Sequence, residues 1–169
     1  LANQHLMVQR VHITAIDGEP EIAITAGINT NVTNNGIQHW GQVTTTCDEN
    51  QITLDGITNQ AGYRVAMASQ LVSPAPVTTT ATNNYLQATS TIKLSRDGEA
   101  TFDKITSIYT SRDTSEPVVI ASNAVTEAVR QGYDMLYHAH AAEWQKTWDA
   151  LDIQIEGDET AQIGVRFTT

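Results

Sequence analysis

The residues best suited to chemistry lie between Asn29 and Trp40. Asn29, Asn31, Asn34 and Asn35 supply amides, Gly36 allows a tight turn, and His39-Trp40 closes the segment. Amides and an imidazole hydrogen-bond to hydroxyl groups, and an indole offers a flat apolar platform, so this set suits a neutral sugar. The same composition also serves simply to turn a chain. His39, Trp40 and Asn34 are the candidate substrate-binding residues. Other tempting groupings fail on spacing. In His138-Ala-His140 the two imidazoles sit two positions apart, so on a helix they diverge by about 200° and cannot share an ion. Asp97, Glu99 and Asp103 straddle an Asp-Gly turn signal and read as solvated turn carboxylates. An acid/base pair would need one raised pKa and a defined separation. Ser111-Arg112-Asp113 has no histidine close in sequence, and neither a P-loop nor a G-x-G-x-x-G occurs. No catalytic residue, metal ligand or cofactor is therefore assigned.

The elements that must position the sugar-like set read as β structure up to about Glu116. Leu6 to Thr14 is rich in β-branched residues, and Ile22, Ile24, Ala26 and Ile28 alternate with Ala23, Thr25 and Gly27. A period of two sends one set of side chains to a buried face. Asp17-Gly18 between these runs predicts a hairpin, as does Asp97-Gly98 between Tyr85–Leu94 and Ala100–Ser111. Further runs at Gln51–Ile57 and Tyr63–Val72 complete a mainly β reading, an antiparallel sandwich. Near Pro117 the pattern turns helical. Asn123 to Gln131 has helical spacing, Gly132 breaks it, and a helix follows from Tyr133 to Leu151. On that helix Tyr133, Tyr137, His140, Trp144 and Trp148 share one face, a packing stripe. Asp158 or a neighbour caps a further helix.

Composition narrows the partners. Among 169 residues, 9 Lys and Arg face 19 Asp and Glu, a net charge of −10. That field repels phosphate backbones and anionic bilayers, so neither nucleic acid nor membrane is an expected partner. The single Cys47 makes no internal disulfide, which fits a reducing, cytoplasmic setting. No signal peptide is visible, and both ends read as cut from a longer polypeptide.

The C-terminal residues are specific. His140-Ala-Ala-Glu-Trp144-Gln-Lys-Thr-Trp148, Asp152-Ile-Gln-Ile-Glu156-Gly157-Asp158, Gln162 and Arg166-Phe167 resemble the linker entering the barrel of glycoside hydrolase family 65. The opening Leu1-Ala-Asn-Gln-His5-Leu-Met-Val-Gln-Arg10 and the strand ending Tyr109-Thr-Ser-Arg112-Asp113 resemble the same family's N-terminal domain. These are disaccharide phosphorylases of the maltose, kojibiose and trehalose types. The resemblance implies residues 1–117 as the later part of a galactose-mutarotase-like supersandwich. It implies 118–157 as a helical linker and 158–169 as the start of an (α/α)6 barrel. It also implies a parent enzyme using inorganic phosphate as co-substrate, with its catalytic glutamate outside this chain. On that reading the chain is a non-catalytic support for the barrel, the site mouth and a homodimer interface, and self-association is expected. Two other classes stay open. A freestanding carbohydrate-binding module would need an exposed aromatic platform, for which the strands offer Tyr63, Tyr85, Phe102 and Tyr109. A mutarotase-like epimerase would need a carboxylate beside His5 and His12.

Overall fold

A computed structural model describes residues 2–48, 50–82 and 85–168. Leu1 of the opening motif and Thr169 of the expected barrel segment lie outside the described residues. The chain runs β1 (Leu6–Thr14), β2 (Glu21–Asn29), β3 (Thr33–Asn34), β4 (Ile37–Gln38), β5 (Trp40–Cys47), β6 (Ile52–Thr58), β7 (Arg64–Val72), β8 (Val77–Thr82), β9 (Tyr85–Lys93), β10 (Glu99–Thr110), α1 (Pro117–Gln131), α2 (Tyr133–Leu151) and α3 (Glu159–Thr168). Two compact units result: His5–Tyr133, and Asp134 onward together with the residues before His5.

The first unit is an antiparallel sandwich of a five-stranded sheet, β1-β10-β7-β6-β5, and a three-stranded sheet, β2-β9-β8. The predicted alternation holds. Ile22, Ile24 and Ala26 pack into one core cluster with Leu71, Ala88, Leu94 and Phe102, and Ile28 joins a second with Ile52, Leu54 and Leu86. Burying each large side chain stabilises by about 1.5–3 kcal/mol.

The two expected hairpins do not form. β1 pairs with β10 and β2 pairs with β9, so each Asp-Gly segment connects one sheet to the other. Together they make one long ribbon folded over at a corner. Thr14 faces Glu99 before the corner and Glu21 faces Lys93 after it, seven positions on one strand against six on the other. The corner is held by Ala15 N–H to the Gly98 carbonyl at 2.9 Å, Asp97 N–H to the Ala15 carbonyl at 2.7 Å, and Leu94 N–H to the Pro20 carbonyl at 3.0 Å. Asp97 (φ 59°) and Gly18 (φ 72°) take left-handed turn conformations there, so the turn chemistry was real but served a corner.

Asp103 is not a turn residue either. It lies within β10, buried, and accepts bidentate hydrogen bonds from Arg10 at 2.7 and 2.9 Å. The Arg10 guanidinium also lies 3.9 Å above the Tyr133 ring. On that side of the sheet α1 packs against β7 and β10 through Pro117, Ala121, Val125 and Ala128. This helix starts at Pro117, earlier than the spacing suggested. Its Val118-Val119-Ile120 opening is β-branched, with Val119 and Ile120 exposed, and burial of the Pro117, Ala121, Val125 and Ala128 face against the sheet overrides that preference. Gly132 (φ 81°) ends it, donating its N–H to the Ala128 carbonyl.

In the second unit α2 runs as predicted to Leu151, and Asp158 caps α3 by accepting from Ala161 N–H at 3.0 Å. Gln162 folds the connection onto α3: its Oε1 accepts from Ile155 N–H at 2.6 Å and its Nε2 donates to the Ile153 carbonyl at 2.9 Å. Arg166 grips Asp152 at 2.9 and 2.5 Å. No described helix is long and apolar enough to cross a membrane.

Candidate functional site

Both corner segments sit at one end of the sandwich. By strand direction, the Asn29–Trp40 segment, the 59–63 turn and the C-terminal end of β10 share the other end. There β2 ends in a turn in which Asn29 Oδ1 accepts from Asn31 N–H at 2.9 Å. β3 and β4 form a small hairpin whose two central residues, Asn35 (φ 50°) and Gly36 (φ 76°), both have positive φ, the pairing an Asn-Gly turn supplies. Asn34 stands exposed beside this tip.

The base of the hairpin is anchored by Asn59. Its Nδ2 donates to the Gln38 carbonyl at 2.9 Å and its N–H to the His39 carbonyl at 2.9 Å. Gly41 is needed for this approach, because a Cβ there would lie 2.7 Å from Asn59 Oδ1. His39 projects exposed from the base. Trp40 is half-buried, packed against the Ile28–Leu86 cluster, with its ring so close over Gly56 that a Cβ there would meet it at 2.6 Å. The three candidates therefore share one loop but differ in setting: Asn34 and His39 face solvent, while the Trp40 ring seals the end of the core.

The topology adds neighbours that sequence reading did not group. Arg112 lies 5.8 Å over the exposed ring of Tyr63. His5 stacks on Tyr109 with centroids 4.0 Å apart, its Nδ1 donating to the Ile108 carbonyl at 2.9 Å. Asp113 accepts from the Thr110 N–H and hydroxyl at 2.8 and 2.7 Å, and these bonds hold its carboxyl below the usual range. The β10–β7 pairing brings Tyr63 beside Arg112, and the β1–β10 pairing brings His5 onto Tyr109; the signal for them in the sequence was the aromatic content of those strands. The end thus offers amides, an imidazole, a guanidinium and one open aromatic face, a surface able to bind hydroxyls.

The remaining groupings are dispersed. His12 Nε2 stands 3.6 Å from Glu99, both exposed and near the corner, while His5 lies at the opposite end of β1. Asp97 and Glu99 are exposed at that corner, away from the paired Asp103. Among the described residues no three His, Cys, Asp or Glu side chains cluster around a possible metal position. His140 packs edge-on to Trp144, and Trp144 stacks with Trp148. Half-buried Cys47 has its thiol pKa pushed up by burial and by Asp48, which disfavours a nucleophilic thiolate. In the helical unit an open cleft of about 520 Å³ is lined by Gln145, Trp148, Asp149, Asp152, Gln154 and Arg166; its Asp152 and Arg166 neutralise each other.

Known proteins match this arrangement. Residues 1–147 match the sequence profile of the glycosyl hydrolase family 65 N-terminal domain. A kojibiose phosphorylase from Halothermothrix orenii is 26% identical over 190 residues, covering 99% of this chain and 24% of that protein. A maltose phosphorylase from Bacillus subtilis is 32% identical over 71 residues, covering 41% of this chain and 9% of that protein. A solved structure assigned as a kojibiose phosphorylase from the human microbiome superposes with a TM-score of 0.85 over 96% of this chain and 22% of its own, at 16% identity, which shows a shared fold. The chain thus spans about a quarter or less of the length of the relatives it matches. With its sandwich followed by helices and its profile match over most of its length, the chain belongs to glycosyl hydrolase family 65, and what it carries is that family's N-terminal region.

Proposed function

We propose that this chain is the non-catalytic, supporting N-terminal portion of an inverting disaccharide phosphorylase. The observation that carries this reading is the family 65 N-terminal match over residues 1–147, joined to relatives named as kojibiose and maltose phosphorylases. In such a reaction inorganic phosphate attacks the anomeric carbon of an α-glucosidic disaccharide such as maltose. The glycosidic C–O bond breaks as a carboxylic acid gives its proton to the leaving sugar oxygen, and glucose and β-glucose 1-phosphate result, the inverting logic with phosphate in place of water. On this reading the chain supports the catalytic part, shapes the site mouth and contributes to dimerisation in a cytoplasmic enzyme.

The mouth would be the open end of the sandwich. His39 and Asn34 would meet sugar hydroxyls, and Trp40 would hold their loop against the core. In the longer phosphorylase polypeptide, His39→Ala is expected to raise KM for the disaccharide about fivefold or more with kcat largely kept. Unchanged kinetics would remove the loop from the mouth. Glucose 1-phosphate release by the 169-residue chain alone, given maltose or kojibiose with phosphate, would overturn the non-catalytic reading. The exposed ring of Tyr63 under Arg112 favours a second reading, a carbohydrate-binding module. Millimolar or tighter calorimetric binding of maltose to the isolated chain, lost in Tyr63→Ala, would establish it.

A further inference from the structure

Strand β5 changes face once along its length, at Gly41. Trp40 and Gln42 stand opposite Thr58 and Ile57, which are neighbours on β6, so Gly41 is one residue too many: a β-bulge. Faces alternate along a strand, and residues opposite one another share a face. Past the bulge Val43 and Cys47 pack inward, Cys47 opposite the buried Ile52. Without the extra residue the same alternation would send Gly41 and His39 inward and Trp40 outward. The bulge exchanges them. Trp40 turns in over Gly56, and His39, whose carbonyl accepts from Asn59 N–H at 2.9 Å, lies exposed on the outer face. Side chains take up the backbone groups around the irregularity. Gln38 Oε1 accepts from Trp40 N–H at 3.1 Å, and Asn59 Nδ2 donates to the Gln38 carbonyl at 2.9 Å. A Cβ on Gly41 would lie 2.7 Å from Asn59 Oδ1 and 3.4 Å from the Ile57 carbonyl, so only glycine leaves Asn59 its place. Asn59 therefore holds the carbonyl of His39 and that of the residue before it.

We infer that Asn59 and the Gly41 bulge are the positioning device of the sugar-facing loop: they present the His39 imidazole to a sugar hydroxyl while the Trp40 ring stays in the core. This rests on the reading of the open end as the site mouth, and it adds which residues decide what that mouth displays. An imidazole on the outer face makes single, directional hydrogen bonds to the hydroxyls of one sugar unit. An indole in its place would offer a flat stacking surface. The register of β5 against β6 thus selects between two modes of recognition, and Asn59, with Gly41 beneath it, sets the register. Asn59 is a positioning residue, acting through His39 without touching the sugar.

A double-mutant cycle in the longer phosphorylase polypeptide tests the assignment. Asn59→Ala is expected to raise KM for the disaccharide about fivefold, as His39→Ala does, with kcat largely kept. Because Asn59 acts through His39, the double variant should be no worse than either alone, a coupling that a general loss of packing would not give. Thr44→Ala, an exposed position of β5 past the bulge, should leave KM as it was. Asn59→Asp, which keeps the size and loses the donor, repeats the test where Asn59→Ala folds poorly. Hydrogen exchange of the 169-residue chain gives a readout apart from activity: in Asn59→Ala the amides of 38–42 should exchange at least about tenfold faster, while those of β9 keep their rates. If His39→Ala raises KM and Asn59→Ala does not, or if the double variant sums both effects, the positioning role is overturned and the mouth reading stands. If His39→Ala leaves KM unchanged, the mouth reading fails and this role fails with it. Unchanged exchange at 38–42 in Asn59→Ala overturns the clamp whatever the kinetics show.

Discussion

The two units differ in what their apolar residues do. The sandwich unit buries Phe102, Leu54, Leu86, Ile105 and Val125 almost completely. In α2 no residue is buried, and Met135, Tyr137, Trp144 and Leu151 are exposed, as are Ile163 and Phe167 of α3. Strands paired over long sequence separations form a closed core. Two helices joined by a short connection hold together through polar grips such as Arg166 with Asp152 and Gln162 with Ile153. The contrast teaches that sharp helix boundaries in a sequence do not mean independent stability, since a helix gains most of its stability from the face it buries.

The largest test is core truncation. Phe102→Ala should cost about 3–5 kcal/mol, enough to unfold the sandwich or nearly so. Trp144→Ala, equally aromatic but exposed, should change urea stability by less than about 1 kcal/mol. A comparable loss from both would erase the distinction between the units. Next comes the ion pair of Arg10 with Asp103. Arg10→Ala strips a buried carboxylate of its bidentate partner, and a cost of about 2–4 kcal/mol is expected by chemical denaturation. Tyr133→Leu removes only the ring above the guanidinium and should cost about 1 kcal/mol or less.

How legible all this was depends on the range of the interaction. The Ile22–Ile28 alternation, the span of α2, the Gly132 stop and the Asp158 cap are local patterns, and each held. Strand partnership is not local. An Asp-Gly pair between two strands signals a reversal of the chain, and a hairpin and a sheet-to-sheet corner both satisfy it. What selects the corner here is that Ile22 to Ile28 and Leu86 to Leu94 must face Phe102 and Leu71 across a core rather than lie beside them. For the same reason Asp103, 93 positions from Arg10, read as a solvated carboxylate, and Tyr63 with Arg112 read as unrelated. The Asn29–Trp40 loop was visible as composition. That the Trp40 ring turns inward over Gly56 follows from the β5–β6 pairing, which composition does not encode.

Acid is the finest probe of the difference between the units. Asp152 is held below the usual carboxylate pKa by its hydrogen bonds to Arg166, and Glu127 on α1 is lowered to about 2 by Arg130 and Gln131. A depressed native pKa contributes stability that is present above the unfolded value, about 4, and is lost as pH falls through the native one. Both groups are solvent-accessible, so each effect is small. In the sandwich unit the loss of Glu127 falls on a helix whose Ala121–Ala128 face is buried, and α1 should persist. In the helical unit the Asp152–Arg166 grip is one of few contacts, so helical circular dichroism should begin to decline below about pH 4, before the sandwich signal changes. Arg166→Ala should remove that early step by lowering helicity already at neutral pH. Coincident loss of both signals in the wild-type chain would mean that the helices draw their stability from the sandwich after all.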